Sequence, residues 1–160
     1  MAKAYASRID IAPKLRASMI ALLNQQLADT LDLSTQIKQA HWNVQGPHFI
    51  ALHELFDKLA EDIEDPVDDI AERITSLGGV ARGTARMASK TSRLAEFPDG
   101  HLDGLKAVAA LADRYAALAK STRAAIETSG KQGDADTSDL FTGISRALDK
   151  ALWFLEAHLA

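Results

Sequence analysis

The 160-residue chain has no cysteine, which excludes a disulfide framework, a thiolate metal site and a catalytic thiol. No run approaches eighteen apolar residues, and charges are spread through the first thirty positions. Neither a membrane span nor a secretory signal is expected, and the expected compartment is the cytoplasm. Several catalytic patterns are missing as well. No two of the five histidines stand four apart, so zinc chemistry of the HExxH kind is out. No Glu precedes a His by three, so the Glu-x-x-His element of an intrachain di-iron bundle is absent. There is no glycine-rich phosphate loop and no GxSxG.

What is present is an ordinary globular composition, 47% hydrophobic and 25% charged, long enough for one domain with a full core. The net charge of −4 is unevenly placed. Residues 1–16 hold Lys3, Arg8, Lys14 and Arg16 against Asp10, a balance of +3, which leaves −7 for the rest. So acidic a body repels nucleic acid, and any DNA affinity would rest on the short N-terminal arm. We expect no shift of duplex DNA at physiological salt.

Four stretches carry apolar residues at helical spacing. The first runs from Pro13, a residue suited to a first helical turn, through Leu15, Met19, Leu23 and Leu27 to near His41. Asn43 and the Gly46-Pro47 pair end it. The second follows Pro47 and carries Leu52, Phe56, Leu59, Ile63, Val67, Ile70, Ile74 and Leu77 as one stripe, stopped by Gly78-Gly79. As an unbroken helix it would be roughly 45 Å long. Residues 80–100 form a connection in which a short helix is expected near Ser89–Glu96. The third runs from Leu102 to Gly130, and the fourth from Leu140 to His158. Short, long and short connections imply an all-α, antiparallel four-helix bundle of ferritin-like layout, with a long crossover carrying a short helix. The expected organisation is a flexible arm over residues 1–12 and the bundle over 13–160.

The chemistry concentrates on the polar side of the second helix. His53, Asp57, Asp68 and Glu72 fall at about 0°, 40°, 60° and 100° around its axis, one arc away from the apolar stripe. Imidazole with carboxylate suits Fe(II), Mn(II) or Zn(II), although one His/Asp pair on a helix is ordinarily a solvated face. Asp57 and Asp68 lie roughly 16 Å apart along the axis, too far for one metal within a chain. A two-fold partner removes the difficulty. When two copies of the helix pack antiparallel, residues whose numbers share a constant total meet, and His53 with Glu72 and Asp57 with Asp68 both total 125. One isologous interface thus makes two identical intersubunit sites. Glu61 and Glu64 share the same total and would set like charges near the axis.

KQAHWNVQGPHFIALHELFD (38–57), VDDIAERITSLGG (67–79) and DKALWFLEAHL (149–159) resemble the Dps family, mini-ferritins that protect DNA during starvation. The likeness extends over nearly the whole chain from Lys14. It implies that His41, His53 and Asp57, with Asp68 and Glu72 of a second subunit, are the ferroxidase ligands. It also implies a hollow dodecamer that oxidises Fe(II), usually with hydrogen peroxide, oxygen being the other candidate oxidant, and stores ferric mineral. Members are cytoplasmic or nucleoid-associated, and some bind DNA through a lysine-rich arm that is sparse here. The rival readings are a nucleoid architectural protein whose main partner is DNA, and a helical assembly with structural zinc. Pro66, two residues before Asp68, should kink its helix. Trp42 reads as interface packing that the resemblance places near the metals, and His48 as a solvated loop residue or auxiliary ligand. Asp134, Asp136 and Asp139 read either as helix-dipole partners or, by resemblance, as the lining of an iron pore.

Overall fold

Pro13 opens the first helix of the computed structural model, which describes residues 7–160. Helix α1 spans Pro13–Asn43 and is followed by a two-residue strand, β1, Val44–Gln45. Gly46, with φ of 114°, supplies the left-handed residue that reverses the chain toward Phe49. Helices α2 (Phe49–Asp62) and α3 (Glu64–Ser76) occupy the second apolar stretch. A crossover containing α4 (Ala85–Thr91) leads to β2 (Leu102–Asp103), then α5 (Gly104–Gln132) and α6 (Ala135–Glu156). α1 packs on α2 and α3, α5 on α6, and the pairs join mainly through α1 and α5. Met19, Leu23, Leu27, Phe56, Tyr115 and Phe141 lie fully buried at the centre.

The second stretch is not one unbroken helix. It is interrupted at Ile63, one turn ahead of Pro66, because proline has no N–H for the Asp62 carbonyl and its ring crowds that group. Ile63 keeps helical angles, φ −88° and ψ −12°, so the two segments remain a jointed rod. The ladder resumes with Val67 N donating to the Ile63 carbonyl at 3.3 Å. Three other boundaries differ from the sequence reading. The short helix lies at Ala85–Thr91 because Thr84 caps it, its side chain accepting from Met87 N. Residues 92–97 are instead irregular chain tied down by side-chain bonds to α1. Ser92 bonds Asp32, Arg93 Nε donates to Asp29 at 2.9 Å, and the Ala95 carbonyl accepts from Gln36 at 3.1 Å. α6 begins at Ala135 rather than Leu140 because Asp134 caps it.

The parallel bridge of Val44 with Leu102 and Gln45 with Asp103 ties the α1–α2 turn to the start of α5. Gly104 permits that approach, since a Cβ there would stand 2.6 Å from a Leu52 methyl. Of the expected arm, residues 1–6 lie outside the described residues. Residue 7 is pinned to the bundle, with the Ser7 hydroxyl donating to the Ser76 carbonyl and Arg16 Nη1 donating to the Ser7 carbonyl, both at 3.2 Å.

Candidate metal centre

His41 sits in the last turn of α1, where backbone carbonyls have no intrahelical partner. The turn through Gly46 brings α2 back beside it, and His53 meets that need: its Nδ1 lies 2.9 Å from the His41 carbonyl. The reverse contact is made too, with His41 Nδ1 at 2.8 Å from the His53 carbonyl. A carbonyl only accepts, so each Nδ1 carries its proton, and Nε2 is the ring nitrogen left to bind a metal. The two rings stack with centroids 3.7 Å apart and planes at 21°. Backbone carbonyls commonly orient metal-binding histidines in this way.

Asp57, one turn beyond His53 on α2, completes the group. Its Oδ1 stands 3.8 Å from His41 Nε2 and 2.7 Å from Lys38 Nζ. The hydrogen bond from Lys38 holds the Asp57 carboxyl below the ordinary carboxylate range. Partial burial opposes that shift, while the charge of Lys38 and the two imidazoles reinforce it. Asp57 is therefore ionised, partly exposed and already cation-paired.

Asp68 and Glu72 do not join this group. They lie one turn apart on the exposed face of α3, and neither carboxylate has a partner among the described residues. Within the described residues of one chain, no three His, Asp or Glu side chains converge closely enough to hold a metal. The five expected ligands thus divide into a bonded trio and an exposed pair. The midpoint of the register totalling 125 falls between Asp62 and Ile63, at the helix interruption. Glu61 and Glu64 flank it, both exposed.

The remaining candidates sort by burial. Trp42 is 66% exposed, beside His41, with Lys38 Nζ 6.0 Å from its ring centre. His48 is exposed at the start of α2 and makes no capping bond. Asp134 is buried; it accepts from Thr137 N at 3.0 Å and Thr137 Oγ1 at 2.6 Å, and pairs with Arg73 at 2.8 Å. Its lone pairs are committed, which leaves only Asp136 and Asp139 exposed at that helix end. Two residues were missed by sequence reasoning, Lys38 and Arg73. Lys38 had a usable signal, because it stands three residues before His41 and so shares its helix face. Arg73 had none, since its partner lies 61 positions away.

Residues 20–160 match the ferritin-like domain family. The chain is 42% identical to the DNA protection during starvation protein of Agrobacterium fabrum, over 98% of this chain and 97% of that protein. DpsA14 from Streptomyces coelicolor has the same fold at a TM-score of 0.92 and 36% identity, covering 98% of this chain and 92% of that one. A Dps protein from Vibrio cholerae O1, described as belonging to a broad superfamily of ferritin-like diiron-carboxylate proteins, gives a TM-score of 0.90 at 28% identity over 99% of this chain and 100% of that one. An all-α bundle with this crossover, these motifs and these relatives belongs to the Dps family of ferritin-like proteins.

Proposed function

We propose that the protein is a ferroxidase and iron store, a mini-ferritin that assembles as a hollow dodecamer in the cytoplasm. Fe(II) is the substrate and hydrogen peroxide the oxidant. Each oxidation site draws His41, His53 and Asp57 from one subunit and Asp68 and Glu72 from its two-fold partner. The observation that carries this reading is the reciprocal histidine clasp. It commits each Nδ1 to a backbone carbonyl and leaves each Nε2 as the ring nitrogen available to a metal, beside an ionised carboxylate, while two acids without a partner among the described residues wait on α3.

That donor set fits iron. Imidazole and carboxylate oxygen suit a first-row divalent ion, and the added carboxylates favour the higher charge of Fe(III). Zn(II) and Mn(II) suit the same donors and would compete. Two Fe(II) give up one electron each, and those two electrons cleave the O–O bond of one peroxide. With two waters the products are two ferric oxyhydroxide units and four protons, so no hydroxyl radical is released. The chain's own residues position the ions, accept none of the electrons, and leave protons to solvent.

Stopped-flow oxidation of Fe(II) with peroxide and with oxygen, run alongside native mass spectrometry, tests the reading. Peroxide should be the faster oxidant. His53→Ala and Glu72→Ala should each lose most of the fast phase while the assembly persists, because both change polar positions outside the core. Unchanged initial rates in either variant would defeat the assignment. DNA is not the main partner on this reading, given the −7 balance outside the first sixteen residues.

A further inference from the structure

Lys38 reaches from α1 across to α2, where its ammonium bonds Asp57 Oδ1 at 2.7 Å. That same oxygen is the one facing His41 Nε2, at 3.8 Å. A metal held between His41 and Asp57 would therefore need the position that a lysine ammonium now claims. We propose that Lys38 is a built-in competitor cation: it pairs with Asp57 in the metal-free protein and is displaced when a divalent ion binds, so that it sets the affinity of the site. The proposal rests on the site reading above.

Three features support competition over a purely structural bridge. Both side chains are substantially exposed, 34% for Lys38 and 47% for Asp57, so the pair contributes little to folding and its loss strands no buried charge. Lysine is a compact point charge on a flexible stem, able to swing out toward the exposed Trp42 ring 6.0 Å away. The intersubunit arrangement also supplies a reason for such a cation. Asp57 would meet Asp68 of the partner subunit, and Glu72 of the partner subunit lies one turn further on, so one positive charge offsets like-charge repulsion before metal arrives.

Zn(II), which does not change oxidation state, is the probe. Calorimetric titration of the full-length assembly would compare wild type, Lys38→Met, Lys38→Arg and His53→Ala, each checked for intact mass and helicity. Lys38→Met keeps the stem and removes the charge; Lys38→Gln serves if it assembles poorly. Lys38→Met should bind Zn(II) about tenfold more tightly, the scale of removing a unit charge beside a divalent ion in a largely solvated site. Lys38→Arg should stay near wild type, and His53→Ala should bind more weakly. Equal or weaker binding by Lys38→Met, with His53→Ala impaired, would overturn the competitor role and leave the site standing. Undiminished binding by His53→Ala would instead overturn the site itself.

Discussion

The two halves of the candidate site are built on opposite plans. The α1–α2 half is finished within one chain: His41 and His53 exchange hydrogen bonds with each other's backbone, their rings stack, and Asp57 is held by Lys38. The α3 half is bare, with Asp68 and Glu72 exposed and without partners among the described residues. Hydrogen bonds to backbone carbonyls therefore orient the imidazoles where they need it. On the proposed two-subunit reading, the acids await a surface that a second copy would bring. The contrast teaches that, on the proposed reading, one chain can look deficient in metal-binding groups while two copies together would supply a full set of ligands.

α3 is nevertheless firmly placed. On its other side Arg73 reaches the buried Asp134 cap of α6, with side-chain exposures of 15% and 1%. Removing one partner of so buried a pair leaves the other uncompensated. Arg73→Met should therefore cost about 3 kcal/mol, read as a large fall in thermal midpoint at matched protein concentration. Hydrogen exchange should rise in α3 and at the start of α6 and change little in α1 and α2. A uniform rise would mean that the two halves are not separately supported.

A smaller effect separates the halves directly. His41→Ala removes one donor of the clasp and the stack, and should cost about 1–2 kcal/mol. Glu72→Ala, on an exposed face, should stay within about 0.5 kcal/mol of wild type. Both should lose fast iron oxidation. Equal destabilisation by the two would erase the distinction between a finished and a bare half.

Much of this was legible in the sequence because helical period is a local property. The apolar stripe of Leu52 to Leu77 defined the face of α2 and α3, and Pro13 and the Gly46-Pro47 pair marked the limits of α1. The joint at Ile63 was legible as a consequence of Pro66, though not its position three residues upstream. What escaped depends on distant partners. The short helix moved to Ala85–Thr91 because residues 92–97 bond to Asp29, Asp32 and Gln36 on α1. The Val44–Leu102 bridge is two residues long and has no periodicity to read. In the site, the arc of His53, Asp57, Asp68 and Glu72 followed from helix geometry. The clasp did not, because it is made by backbone carbonyls that no side-chain pattern announces.

The central claim, that each site is shared between two subunits, is tested most directly by mixing lesions. One subunit type carries His53→Ala and the other Glu72→Ala, each inactive when assembled alone. In a mixed dimer one site collects both lesions, while the other joins intact His53 of one subunit to intact Glu72 of the other. Random re-pairing makes half the dimers mixed, so about a quarter of all sites should regain wild-type oxidation. The measurement is peroxide-driven Fe(II) oxidation by co-dissociated and reassembled variants, with hybrids verified by native mass. Recovery near that fraction is the result expected. If verified hybrids stay as inactive as the unmixed controls, each site lies within one chain and the account is wrong.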